Sequence, residues 1–294
     1  MTGSDSSEGH RPLPNPSPEG EGLKVSAALS DASARLAGVS DTPRLDAELL
    51  MAHALGVERD SLLLTRLQDP APAAFVALLL RRTAGEPVAY ITGRRAFWTI
   101  ELEVGPGVLV PRPDSETLIE AAVAHFGRSS PARILDLGTG PGTLLLAALD
   151  QWPDAYGLGI DASEAALGYA RRNVERLSLA ARAELRLGNW AEAVEGPFDL
   201  ILCNPPYVEA AADLPRDVRD WEPAEALFAG ADGLDDYRRL APTIAPLLTP
   251  RGIACIELGA GQAPQVVPLF EAHGLRAALH HDLGGRPRCL ALTA

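Results

Sequence analysis

The apolar run DLILC at residues 199–203 breaks into Asn204-Pro205-Pro206-Tyr207, four residues that share one chemical aptitude. A planar nitrogen, whether a carboxamide or an exocyclic amino group, has a delocalised lone pair and is barely basic. To attack a methyl sulfonium it must be held in line, with its N–H bonds aimed at acceptors. The side-chain oxygen of Asn204 and the carbonyl of Pro205 are two such acceptors. Pro205 and Pro206 fix φ and bring no competing N–H. Tyr207 offers a ring that can stack on or wall in a flat group. A loop of this kind works chiefly by orientation, for which aligned reactants gain up to roughly 7–11 kcal/mol. Charge developing on nitrogen is met by the oxygens, and neither a metal nor a strong base is required. The same residues also make an ordinary strand stop, since proline cannot continue a ladder and asparagine favours turns.

Three upstream segments bear on which reading holds. Asp136-Leu137-Gly138-Thr139-Gly140-Pro141-Gly142 follows an apolar strand and precedes a helix. Glycines there let the backbone turn sharply and let a ligand lie against main-chain N–H groups. The spacing is GxGxG and not the GxGxxG of dinucleotide binders, and a tight βα connection is the plain alternative. The next strand ends in Asp161, about 20 residues beyond the glycines, where a carboxylate can accept both hydroxyls of a ribose; capping the following helix is its other reading. The strand after that ends at Gly188-Asn189-Trp190, where the indole either lies on an adenine or fills the core. Three successive strand ends thus suit one adenosine. The Asn-Pro-Pro-Tyr loop at the fourth favours S-adenosylmethionine over a nicotinamide cofactor.

These positions need a frame. Apolar strands at 133–138, 156–161, 183–188, 199–204 and 252–258 alternate with helical segments, and strands at 275–281 and 287–293 follow. The pattern predicts an α/β catalytic domain over 113–294, a mostly parallel sheet covered on both faces, with ligands at the carboxyl ends of its strands. Residues 23–95 have helical spacing throughout and predict a small all-helical domain, with nine Lys or Arg against eight Asp or Glu. That balance is no basic clamp for nucleic acid and suits protein docking. Residues 96–112 alternate about Gly105-Pro106-Gly107 and predict a β-hairpin linker. Asp114 is positioned to cap the next helix. Residues 1–22, rich in Ser, Pro, Gly and Glu, read as a disordered tail without the pattern of a signal peptide.

Composition narrows the field. The chain has 294 residues, 47% of them hydrophobic, and a formal net charge of −13. The length and hydrophobic content support a sizeable core, and the sign of the charge disfavours a phosphate backbone as partner. Cys203, Cys255 and Cys289 lie far apart in apolar runs with no metal-binding spacing, so buried thiols in a reducing cytoplasm account for them. No apolar stretch approaches the roughly 20 residues that span a bilayer.

RLDAELLMAHALG (44–56), GEPVAYITGRRAFW (85–98), PRPDSETLIE (111–120), DLGTGPG (136–142), CNPPYV (203–208), EPAEALFAGADGLDDYRRL (222–240) and IELGAGQ (256–262) together resemble the release-factor glutamine methyltransferase family. The resemblance covers roughly residues 24–293. It implies a Rossmann-like S-adenosylmethionine-dependent methyltransferase in the cytoplasm, acting on the glutamine of the Gly-Gly-Gln motif of class-I peptide chain release factors. It further implies that Gly138, Thr139, Gly140, Pro141, Gly142, Asp161, Trp190 and Asn204 contact the cofactor. Asn204, Pro205, Pro206 and Tyr207 would hold the glutamine, with Asn204, Pro205 and Tyr207 the catalytic group, and the N-terminal helices would dock the release factor. Asn189 departs from the family, which commonly has an acidic residue there. Within the same chemistry, glutamine methylation of a large-subunit ribosomal protein is the nearer alternative, and an exocyclic amino group in nucleic acid the more distant one.

Overall fold

The computed structural model describes residues 22–294. Nearly all of the expected N-terminal tail lies outside the described residues. The chain divides into two compact units between Ala84 and Gly85.

The first unit is helical, as its 3.6-residue periodicity requires: α1 (Val25–Leu36), α2 (Pro43–Leu55), α3 (Arg59–Thr65) and α4 (Ala74–Thr83). Pro43 opens α2, where a missing N–H costs nothing, and Gly56 ends it in a left-handed conformation. Leu29, Leu36, Leu50, Met51 and Leu62 are fully buried between these helices. Charge is buried with its partners: Arg82 Nε donates to Asp46 at 2.7 Å, and Arg44 and Arg59 both donate to Glu48. Burial works against the charge on Glu48, but the two arginines hold its carboxyl below the ordinary range.

The second unit begins with α5 (Val88–Thr92) and a hairpin of β1 (Arg94–Phe97) and β2 (Ile100–Glu103). The hairpin lies earlier than expected and turns at Trp98-Thr99, not at Gly105-Pro106-Gly107. Packing decides this. Trp98 is held by its backbone N–H on Glu116 and by its indole on Gln151. Val104, Val108 and Val110 sink into the core instead of pairing. Asp114 does not cap a helix either. It sits in a 3-10 turn, Pro113–Ser115, and accepts from Arg288 at 3.0 Å, while α6 (Glu116–Phe126) starts without a side-chain cap.

The rest is the expected alternation: β3 (Arg133–Leu137), α7 (Thr143–Gln151), β4 (Tyr156–Asp161), α8 (Glu164–Arg176), β5 (Ala183–Leu187) and β6 (Phe198–Cys203). There follow α9 (Arg216–Arg219), α10 (Asp235–Leu247), β7 (Leu248–Glu257), α11 (Ala263–Glu271), β8 (Arg276–His281) and β9 (Pro287–Thr293). The seven strands from β3 on lie in the order β5-β4-β3-β6-β7-β9-β8. Pairing is parallel through β7, and β9 is antiparallel to both its neighbours. Period-two alternation splits each strand between two cores. Ile134, Leu200 and Leu202 pack with Leu145 and Leu149 on one face, and Leu135, Ile201 and Cys203 with Tyr237, Leu240 and Phe270 on the other. All three cysteines are buried and free. After β5 the chain crosses back to lay β6 beside β3, a switch point that opens a crevice at the carboxyl ends of the strands. Among the described residues, no helix is long and apolar enough to cross a membrane.

Candidate active site

A cavity of about 530 Å³ lies at that crevice, lined by Gly138, Gly140, Asp161, Trp190, Asn204 and Pro206 among others. Residues from all four strand ends therefore meet there, though not every residue singled out in the sequence does. The Gly138 and Thr139 N–H groups both donate to the Ile160 carbonyl at 2.9 Å, which pulls the turn toward β4. Gly138 has φ +73°, and a Cβ there would stand 3.2 Å from the Trp190 ring. A glycine is thus required for the turn and for the close approach of the indole.

Asp161 Oδ2 accepts from the Gly140 N–H at 2.7 Å and Oδ1 from Ser163 at 2.8 Å. Each oxygen keeps acceptor capacity facing the cavity. Burial pushes the Asp161 pKa up, against these backbone donors. The helix α8 is capped by Ser163, whose hydroxyl accepts from Ala166, and not by Asp161. Thr139, Pro141 and Gly142 do not line the cavity. Thr139 is buried with its hydroxyl on Asp136 at 2.6 Å, the Pro141 carbonyl accepts from Asn173, and Gly142 opens α7. They shape the turn. Asp136 itself is 1% exposed, and burial raises its pKa to about 7 despite donors from Thr139 and Leu145.

Trp190 stands at the cavity wall beside Asp236 of α10. Burial raises the Asp236 pKa, while Arg239 and the Trp190 side chain oppose it. Asn189, where the chain departs from the family pattern, also lines the cavity; its Nδ2 donates to Glu192 Oε1 at 2.7 Å, so its Oδ1 remains an acceptor. Gly107, Val108 and Leu109 close the cavity from the segment expected to form the hairpin turn. Glu222 pins that segment, accepting from the Val110 N–H at 3.1 Å and from Arg112 at 2.5 Å.

The loop after β6 is anchored at three points. Asn204 Nδ2 donates to Ser115 Oγ at 3.3 Å, the Tyr207 hydroxyl donates to Glu257 Oε1 at 3.1 Å, and Gln262 Nε2 donates to the Tyr207 carbonyl at 3.0 Å. Among the described residues no donor reaches Asn204 Oδ1 or the Pro205 carbonyl, and both remain acceptors. Neither Pro205 nor Tyr207 lines the cavity. Burial, then the Glu257 charge, pushes the Tyr207 pKa up, so the phenol stays a donor and no base. Burial pushes Glu257 up as well, opposed by Ser115, Arg288 and Tyr207. Ser115, Glu257 and Gln262 carry these anchors, yet their residue types alone suggested no chemistry. The only signal for them was that they fall within the family-like segments PRPDSETLIE and IELGAGQ.

A larger cavity, about 640 Å³, lies at the opposite ends of the strands around Arg133, Arg182 and Glu184. Its arginines are occupied: Arg133 donates to the Pro197 carbonyl, and Arg182 to those of Leu149, Trp152 and Ala155. No cluster of metal-ligating side chains occurs among the described residues.

Residues 27–93 match the PrmC N-terminal domain, and residues 114–219 match the methyltransferase small domain. A release factor glutamine methyltransferase of Rhodospirillum rubrum is 47% identical over 262 residues, covering 87% of this chain and 80% of that protein. Another, from Cereibacter sphaeroides, is 43% identical over 278 residues, covering 92% and 98%. Among solved structures, a methyltransferase from Pyrococcus furiosus aligns over 74% of this chain and 96% of its own, with a TM-score of 0.51 and 20% identity. That likeness concerns the fold.

Proposed function

The chain belongs to the release factor glutamine methyltransferase family, and on that premise we propose how its own residues carry the reaction: methylation of the glutamine side-chain nitrogen in the Gly-Gly-Gln loop of class-I peptide chain release factors. S-adenosylmethionine is the methyl donor, and the cavity suits it. Its volume falls in the range of small-molecule sites, the glycine turn gives close backbone approach, Asp161 offers acceptors to a ribose, and Trp190 gives an adenine a flat wall. When bound, the cofactor supplies an electrophilic methyl group on a sulfonium.

The protein's task is then to present a poor nucleophile. One observation carries this reading: Asn204 lines the cavity with its Nδ2 committed to Ser115 Oγ, which leaves Oδ1 as an acceptor one residue before the Pro205 carbonyl, itself without a donor among the described residues. Two fixed oxygens accept the two N–H bonds of a primary carboxamide, hold its nitrogen in one direction and meet the positive charge that grows there. The proton is lost afterwards to water, since Tyr207 is held as a donor. Pro206 lines the cavity, and Tyr207 anchors the loop through Glu257 and Gln262. Two rigid prolines and three anchors keep these oxygens from following a misplaced substrate, and such preorganisation supplies the orientation part of catalysis.

The first unit docks the release factor in this reading. Val76 and Leu80, one turn apart on α4, are 46% and 54% exposed, and Leu64 is 83% exposed, an apolar surface suited to a protein partner. The acidic balance of the chain argues for a protein rather than nucleic acid, and the cytoplasm is where release factors act. The test is to offer unmethylated release factor, large-subunit ribosomal proteins and ribosomal RNA together with labelled cofactor. Label on the release factor is expected. Label chiefly on another component would sink the substrate assignment.

A further inference from the structure

We propose that Glu222 is a positioning residue for the cofactor: its carboxylate clasps together two segments that wall the cavity at the strand ends, and so sets how long S-adenosylmethionine stays bound. The inference rests on the placing of the cofactor in that cavity and not on the identity of the methyl acceptor. Gly107, Val108 and Leu109 line the cavity from one segment, and Pro223, Ala226 and Phe228 from another. Glu222 itself does not line it. It stands one residue before the second group, is buried at 6% exposure, and reaches across to the first: Oε2 accepts from the Val110 N–H at 3.1 Å and Oε1 from Arg112 Nη2 at 2.5 Å. These bonds join parts of the chain 112 and 110 residues apart.

The first segment has little else to hold it. Between Val104 and Arg112 its main chain makes one bond within itself, from the Val108 N–H to the Gly105 carbonyl at 3.4 Å, and its other main-chain partners among the described residues are side chains. The Tyr90 hydroxyl of α5 donates to the Val108 carbonyl, Arg95 of β1 donates to the Pro111 carbonyl at 3.1 Å, and Glu222 takes the Val110 N–H. Of these three, only Glu222 belongs to the second segment. Its two donors, a backbone N–H and a guanidinium, cannot accept, so a proton on either oxygen would find no partner there and the group is held as the carboxylate. Burial pushes its pKa up, and Arg112, then the Val110 N–H, oppose that. Both oxygens are satisfied only while the two segments stay together. Separating them strips a buried carboxylate of its donors, which is costly, so the wall resists opening and a ligand lying against Val108 and Leu109 is slow to leave.

Glu222→Gln keeps the size and removes one fastening, because a carboxamide turns its NH2 on one of the two donors. Stopped-flow binding of S-adenosylmethionine to the whole protein should show dissociation about tenfold faster, the scale of one lost hydrogen bond to a charged group, with association within about threefold of the wild type. Hydrogen exchange of the Val110 N–H should quicken in the same variant while the amides of β3 and β6 keep their protection, a pattern that a general loss of stability would not give. If Glu222→Gln does not fold, Arg112→Met, which leaves the carboxylate one donor, answers the same question by the same two readouts. A folded Glu222→Gln protein whose cofactor dissociates within about twofold of the wild-type rate overturns the proposal. So does a Val110 N–H that exchanges as in the wild type, or a loss of protection shared equally by β3 and β6. Asp161→Ala tests the placing of the cofactor separately, and should raise Kd with Val110 exchange unchanged. Wild-type affinity in Asp161→Ala faults that placing and overturns the clasp with it, whereas weakened binding there beside normal dissociation in Glu222→Gln overturns the clasp alone.

Discussion

Gly233→Ala should separate the position of the catalytic loop from the stability of the fold. Gly233 has φ +69°, and a Cβ there would stand 2.4 Å from the Tyr207 carbonyl oxygen, 2.9 Å from Gln262 Nε2 and 3.1 Å from the Tyr207 carbonyl carbon. Ordinary contact needs about 3.5 Å, so the Tyr207 carbonyl must retreat by about 1 Å. Its bond from Gln262, now 3.0 Å, must stretch or break, and the displacement passes to Pro205 and Asn204 two and three residues upstream. A misplacement of about 1 Å is worth roughly 100-fold in rate, while the left-handed conformation costs an alanine about 1–2 kcal/mol of stability. Gly261→Ala isolates the second effect, for Gly261 has φ +83° and a Cβ there would meet nothing within 4 Å. Single-turnover methylation of purified release factor, with melting curves and calorimetric cofactor binding, reads all three quantities. Gly261→Ala should lose only the left-handed backbone cost, and Gly233→Ala that cost plus about 1–3 kcal/mol for the displaced carbonyl; both should bind cofactor normally, and only Gly233→Ala should lose about two orders of magnitude in rate. A folded Gly233→Ala protein within threefold of the wild-type rate would refute the claim that the loop's position carries catalysis.

Asn204→Ala removes one of the two proposed substrate acceptors and should weaken cofactor binding only modestly while methyl transfer drops by about 100-fold or more, as rapid-quench assays would register. Asp136 gives a pH signature. Its pKa is 3.8 unperturbed and about 7 in the fold, so the folded state holds a proton that the unfolded chain has released, and the stability this contributes is lost as pH rises through about 7. The loss from this one group is about 3 kcal/mol between about pH 5 and about pH 8, and Asp136→Asn should flatten that slope in denaturant titrations at the two pH values. Charging the exposed face of α4 with Val76→Glu/Leu80→Glu should raise KM for the release factor by roughly tenfold or more, the scale of two lost apolar contacts, with kcat and cofactor affinity unchanged; an unaltered KM would remove the first unit from docking.

The convergence of several singled-out residues on one cavity was readable because its signals are local. The GxGxG turn, Asp161 and Asn204-Pro205-Pro206-Tyr207 each end a strand whose apolar run marks it, and a parallel sheet brings consecutive strand ends to one edge. The two assignments the structure corrects failed where tertiary packing overrode a local pattern. Gly105-Pro106-Gly107 has hairpin chemistry, but the valines on either side gain more from the core than from pairing. Asp114 has cap chemistry, but Arg288 claims its carboxylate from 174 residues away. Ser115 and Glu257 were unreadable for the same reason. The Ser115 bond to Asn204 spans 89 residues and the Glu257 bond to Tyr207 spans 50, and serine and glutamate in such positions are ordinarily a turn and a solvated strand end.

The most direct test of the account is the position of the methyl group. Purified protein, S-adenosylmethionine and a class-I release factor are incubated together, and the product is digested and sequenced by mass spectrometry. The account predicts one added methyl, on the side-chain nitrogen of the glutamine in the Gly-Gly-Gln loop, and none in the reaction with Asn204→Ala at matched times. A methyl on any other residue, or an equal yield from Asn204→Ala, would contradict it.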